Sequence, residues 1–237
     1  MPAPHDPLQD LILVPGLLCT PALYAPQLPA LAKAARVTVA DHTRHESMAE
    51  IARAVLAGAP ARFALCGLSM GGYIAFEMMR QAPQRVTRLA LLDTSAKPDT
   101  PARSAARRAQ VAQAGGAGLA SIADALMPFL VHPRRLSDPV LVATITKMAT
   151  DLGVTVFGRQ QTAIAGRADS RPGLPAILVP TLVLVGREDV LTPVDAAEEI
   201  AGGIPGSRLR IIEDCGHLST LEQPDAVTAA LLAWLEA

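Results

Sequence analysis

One serine stands between glycines in the stretch Gly67-Leu68-Ser69-Met70-Gly71. A serine alcohol is a weak nucleophile and needs help to attack a carbonyl. Its surroundings suggest where help comes from. A short apolar run, Phe63 to Cys66, precedes it, and an almost wholly apolar helical run, Ser69 to Gln81, follows until Pro83. A G-x-S-x-G between strand and helix forces a tight turn whose flanking residues must be small. The serine then stands above the sheet edge with a helix N-terminus behind it, which favours developing negative charge. The plainer reading is a glycine-rich turn that merely packs a helix on a strand.

An activated serine needs a base in reach and an acid to orient the base. Five histidines are available. His5 is in the N-terminal tail and His132 is in a helical middle region. His42 and His45 follow one short apolar run, Arg36 to Ala40, and His217 follows another, Leu209 to Ile212. In a parallel sheet, loops after strands gather at the carboxyl edge. His217, freed by Gly216, is therefore the candidate base. Asp189 follows the run Thr181 to Val185, and the chain order Ser, Asp, His favours it as the acid. Asp93, which ends Leu89 to Leu92, is the alternative; Glu188 is expected to point away. An alkoxide formed on attack needs backbone N–H donors. Met70, next after the serine, is one candidate. Leu17, aimed by the turn at Pro15-Gly16, is the other.

The elements that must position these residues can be traced along the chain. Continuous apolar runs at Leu11 to Val14, Arg36 to Ala40, Phe63 to Cys66, Leu89 to Leu92, Thr181 to Val185 and Leu209 to Ile212 suit strands buried on both faces. Helical patterns alternate with them. Ser47 and Glu50 read as a capping box, Pro193 opens one helix and Pro224 the last. From about residue 97 to 171 no strand is expected. Helical patterns run over Arg103 to Gln113, Leu119 to Leu130, Pro139 to Asp151 and Val154 to Ile164, with Pro128, Pro133, Pro139 and Gly153 between them. The fold class is therefore α/β, a mostly parallel doubly wound sheet. Residues 1–98 and 172–237 form its core and 99–171 an inserted helical cap.

Bulk properties narrow the function. The 237 residues carry a formal net charge of −1 and are 50% hydrophobic. Nucleic-acid binding needs a basic surface, so it is not expected; Arg103 to Arg108 read as a solvated helix face. No uninterrupted apolar run approaches the ~20 residues of a membrane span, and no signal peptide is apparent. Cys19, Cys66 and Cys215 have no metal-ligand spacing, so reduced thiols in a cytoplasmic protein are expected. Asp41-His42-Thr43-Arg44-His45-Glu46 is the one conceivable metal cluster, and its spacing fits no helical metal motif. Neither metal nor cofactor is expected.

Four stretches, LILVPGLL, ALCGLSMGGYIAFE, PTLVLVGREDVLTP and IIEDCGHLSTLEQP, together resemble the α/β-hydrolase fold superfamily in order and content. The resemblance implies Ser69 as nucleophile, His217 as general base, Asp189 as its partner and a helical cap over the pocket. Pro15 stands where many members have histidine, so any part played by that histidine in ordering the loop is lost. The chain looks most like small cofactor-free carboxylesterases and enol-lactonase-like hydrolases. A serine nucleophile argues against dehalogenase and epoxide hydrolase chemistry, which uses aspartate there. A lactonase or C–C bond hydrolase would use the same residues, and a ligand-binding protein on this scaffold is the alternative from outside enzymology. Expected pocket residues are Leu18, Leu191 and Leu218 beside the catalytic loops, with Met127, Phe129, Leu130, Met148 and Phe157 from the cap. No arginine stands out as a carboxylate clamp, so the expected substrate is a neutral ester of a small or medium apolar acid.

Overall fold

The computed structural model describes residues 8–237; His5 lies outside them. Six strands form one sheet: β1 (Gln9–Val14), β2 (Ala35–Val39), β3 (Phe63–Leu68), β4 (Val86–Leu92), β5 (Thr181–Gly186) and β6 (Arg208–Ile212), in the spatial order β2-β1-β3-β4-β5-β6. Every pairing between them is parallel. The strands read as continuous apolar runs because helices cover both faces. Successive side chains alternate between those faces. Ile12, Val14, Leu65, Leu89, Leu91, Val183 and Val185 meet one helical layer; Leu11, Leu13, Ala64, Cys66, Ala90, Leu92, Leu182 and Leu184 meet the other. The interior strands β3 and β5 are buried throughout, whereas the edge strands β2 and β6 alternate exposed with partly buried positions.

The first layer holds α2 (Met48–Gly58), α3 (Met70–Gln81) and α6 (Val194–Gly203); the second holds α1 (Leu28–Ala34) and α8 (Pro224–Glu236), with the one-turn α7 (Ser219–Glu222) before the last. Ser47 caps α2 as its spacing predicts: its Oγ accepts from the Glu50 N–H at 3.2 Å and donates to the Glu50 carboxylate at 2.9 Å. Pro193 is the N-cap of α6 rather than its first residue. The short α1 carries too little periodicity to be read from sequence.

Between β4 and β5 the chain is helical. Two long helices, α4 (Pro101–Leu130) and α5 (Pro139–Ala165), pack against each other. The four expected segments are fused in pairs, each broken by a glycine with non-helical backbone: Gly118 at φ 79° and Gly153 at φ 78°. Pro128 does not end its helix at once; it lies within the last turn of α4, lacks the N–H that would bond Asp124 O, and the helix runs only two residues further, to Leu130. By length and composition alone α5 would pass for a membrane-crossing helix. It is instead bent at Gly153, carries the Lys147–Asp151 ion pair at 2.9 Å, and packs on α4. A small third core, containing Leu18, Ala114, Leu119, Ile122, Ala123, Ala149 and Phe157, seats these helices on the loop after β1.

The glycine bends make a test. A Cβ at Gly153 or at Gly115 meets nothing within 4 Å, so only backbone conformation distinguishes the two sites. Gly153→Ala, at positive φ, is expected to lower stability by about 1–3 kcal/mol. Gly115→Ala, inside the helix, should raise it by about 0.5–1 kcal/mol. Urea denaturation of the two variants against wild type should show opposite signs; equal shifts would refute the assignment of the bend.

Candidate active site

Ser69 occupies the turn between β3 and α3 with φ 56° and ψ −114°, a strained backbone for a residue with a side chain. The turn is closed so tightly that glycine is required on both sides. A Cβ on Gly67 would run into the Gly71 carbonyl, and one on Gly71 would run into the Val14 carbonyl of β1. The Ser69 N–H donates to Leu92 O at 2.9 Å, and the Thr94 hydroxyl donates to Ser69 O at 2.8 Å, so the end of β4 and the loop just past it hold the turn from its other side.

His217 comes from the loop after β6. Its Nε2 is 2.8 Å from Ser69 Oγ and its Nδ1 is 2.7 Å from Asp189 Oδ2. This is the hydrogen-bonded order a serine–imidazole–carboxylate relay requires. Asp189 follows β5 and is saturated: Oδ1 accepts from the Leu191 and Thr192 N–H groups at 2.9 and 3.0 Å, and Oδ2 also accepts from the Thr192 hydroxyl at 2.7 Å. Burial pushes the Asp189 carboxyl up, but His217 and the Thr192 donors outweigh it and hold it below the ordinary carboxylate range. Burial pulls the imidazole down, but the Asp189 charge prevails and holds His217 above its ordinary value.

The helical insertion fixes the histidine loop. Leu130 O, at the end of α4, accepts from both the His217 and Leu218 N–H groups at 3.1 Å. Buried Glu222 receives the Gly216 N–H at 3.0 Å and the His132 N–H at 2.6 Å, so it staples the loop to the residues just after α4. Glu188 is turned toward Cys215, whose N–H it accepts at 2.9 Å.

Asp93, the alternative acid, is fully buried but faces elsewhere. It accepts from the Gly186 N–H at 3.0 Å and from the Ser219 hydroxyl. Burial, then the nearby Asp189 charge, pushes its carboxyl up to about 8. The metal candidate does not assemble. His42 is buried and turned toward Gly16 and Gln160, Asp41 ties Thr43 and Arg44, and no cluster of three metal-ligating side chains exists among the described residues.

Neither candidate oxyanion donor is spent among the described residues. Met70 is the first residue of α3, where N–H groups have no intrahelical acceptor; the Leu17 N–H also has no acceptor among the described residues. Gly16 lies against the serine, since a Cβ there would sit 3.4 Å from Ser69 Cβ. A cavity of about 260 Å³ opens over Ser69 and His217. Of the expected pocket residues, Leu18, Leu130, Met148, Leu191 and Leu218 lie along its wall, together with Leu17. Three expected residues do not. Met127 is turned into the core, Phe129 is exposed on the outside of α4, and Phe157 is buried in the small core beneath Leu18. Sequence reasoning missed Tyr73, Ile145, Ile164 and Val190, and it misread one helix face: Arg103, Arg107 and Gln110 line the pocket. Their spacing of four and three puts them on one face of a helix, a signal that was present. Arg107 is committed to Asp99 at 2.8 Å and Gln161 at 2.7 Å. Arg103 has no carboxylate partner among the described residues.

With this fold and site in hand, the chain belongs to the alpha/beta hydrolase family, whose pattern it matches over residues 11–230. It is similar to the solved structure of a thermophilic esterase from Thermogutta terrifontis, with 31% identity and a TM-score of 0.88 across 96% of this chain and 89% of that one. The enol-lactonase from Burkholderia xenovorans LB400 superposes with 26% identity and a TM-score of 0.87, covering 99% of this chain and 94% of that one. A Mycobacterium tuberculosis H37Rv protein provisionally named the non-heme bromoperoxidase BpoC is 34% identical over 179 residues, 73% of this chain and 67% of that protein.

Asp93 supplies a pH test. Its carboxyl titrates near 8 when folded and near 3.8 when unfolded. Between those values the folded state keeps a proton that the unfolded state has released, so stability falls as pH rises across the window. Asp93→Asn removes the titrating group and should flatten that fall. Denaturation at about pH 5 and about pH 8 reads it; an undiminished slope in the variant would show that another group is responsible.

Proposed function

We propose that the protein is a serine hydrolase that cleaves carboxylic esters of small to medium apolar acyl groups through an acyl-enzyme. One observation carries the reading: the unbroken hydrogen-bond chain from Ser69 through His217 to Asp189, ending on a small, largely apolar cavity. Ser69 Oγ attacks the ester carbonyl while His217 Nε2 takes its proton. Asp189 holds the imidazole in the tautomer that leaves Nε2 free to accept, then stabilises the imidazolium. The alkoxide forms against the Leu17 and Met70 N–H groups. His217 returns the proton to the leaving alcohol. Water, activated by the same imidazole, releases the acid and restores Ser69.

Likeness to an enol-lactonase supports a second reading, a cyclic ester opened by the same steps. A panel of nitrophenyl esters of rising chain length, run beside simple lactones, separates the two. Ser69→Ala is expected to lower ester turnover by about 10⁴-fold or more without unfolding the chain, and Asp189→Asn by about 10⁴-fold. Asp93→Asn should leave most of it. Activity lost in Asp93→Asn and kept in Asp189→Asn would reverse the assignment of the acid. No turnover of any ester or lactone by wild type would leave a C–C bond hydrolase or a ligand-binding protein.

The base must be unprotonated to accept from Ser69, so kcat/KM should fall as pH drops through the His217 pKa. Because that pKa is raised, the acid limb should have its midpoint above 6.5. Asp189→Asn should move the limb to lower pH. A pH–rate profile of wild type and variant checks both statements.

A further inference from the structure

Two buried polar side chains outside the serine–histidine–aspartate chain meet at the loop after β1. His42 follows β2 and Gln160 is on α5, 118 positions later. Gln160 Oε1 accepts from the Leu18 N–H at 3.0 Å, and Gln160 Nε2 lies 3.0 Å from His42 Nε2. The same ring nitrogen is 2.9 Å from Gly16 O. The pair thus contacts both neighbours of Leu17, whose own N–H has no acceptor among the described residues.

The chemistry of the contact fixes its sense. A backbone N–H only donates, so the Gln160 oxygen must face Leu18 and its nitrogen must face His42. A protonated Nε2 donates to Gly16 O; an unprotonated one accepts from Gln160. Nε2 therefore makes one of these two hydrogen bonds at a time, and either one ties His42 to the junction, to Gly16 in one tautomer and to Gln160 in the other. The imidazole is nearly fully buried, and burial holds it below its ordinary value, which keeps it neutral. The grip is also needed. Leu18 has φ 57°, a left-handed backbone that leucine adopts only when its surroundings impose it.

We propose that Gln160, reaching from the helical insertion and backed by His42, is a positioning residue that aims the Leu17 N–H at the developing alkoxide. The proposal rests on the serine-hydrolase reading. It makes part of the oxyanion site the work of α5, so the insertion shapes the reaction as well as covering the pocket. A role confined to satisfying buried polar atoms would alter stability and leave the turnover of folded enzyme unchanged.

The test is kcat and KM for a short nitrophenyl ester, normalised to the serine that a fluorophosphonate titrates, in Gln160→Met and Gln160→Glu. Gln160→Met removes both polar ends and should lower kcat roughly tenfold to a hundredfold with KM little changed. Gln160→Glu keeps an oxygen for the Leu18 N–H and should recover part of that loss. If Gln160→Met does not fold, Gln160→Ala takes its place with the same expectation. A kcat equal to wild type, a loss carried wholly in KM, or Gln160→Glu no better than Gln160→Met overturns the proposal. If wild type turns over no ester, the hydrolase reading fails separately. The rate of fluorophosphonate labelling of Ser69, slower in the Gln160 variants, then still decides whether the loop is positioned from α5.

Discussion

Gly71 has no room for a side chain, because the carbonyl of Val14 occupies the space. That contact presses the first turn of α3 onto the end of β1, and everything else at the site depends on it. It brings the loop after β1 against Ser69. It leaves the Met70 N–H at the start of a helix with nothing intrahelical to bond. It also forces Ser69 into positive φ, lifting the hydroxyl out of the turn toward His217. The strain is carried by a sheet with buried interior strands and by the C-terminal end of β4 and the loop after it: Leu92 O accepts the serine N–H and the Thr94 hydroxyl donates to its carbonyl.

A second constraint comes from the helices between β4 and β5. The carbonyl of Leu130 and the carboxylate of Glu222 anchor the histidine loop, and Gln160 meets the loop after β1. The two loops that complete the site are thus each hydrogen-bonded to, or just beyond, a helix of the insertion. Sheet and insertion build one site between them.

Much of this was legible in the residues, and the limits have physical causes. The serine turn, the six strands and the histidine after the last strand are local signals: glycine spacing, apolar runs and chain order. Asp189 could be preferred over Asp93 by order alone, and the geometry separates them because Asp93 is occupied by Gly186 and Ser219. The cap was legible as four helical patterns but not in its phase. A kink of unknown angle at Gly118 or Gly153 changes which stripe faces inward, so Phe129 and Phe157 were assigned to a cavity that neither reaches. Arg103 and Arg107 were read as solvated because charge usually is. The pairing of His42 with Gln160 carried no signal, since a buried polar pair is defined only by the partner that a distant segment supplies.

Asp99 precedes α4 and receives Arg107 at 2.8 Å and Arg167 at 2.6 Å, with its own side chain fully buried. Arg167, just past α5, also lies over the Tyr73 ring, 4.4 Å from its centroid. The long helical excursion therefore departs and comes home at a single ionic clasp resting on α3. A clasp of that kind fixes where the excursion leaves the sheet and where it returns. Between those ends the faces of the helices could change in the course of divergence, re-tailoring the chamber above Ser69, provided that the bonds from Leu130, His132 and Gln160 to the loops below were kept.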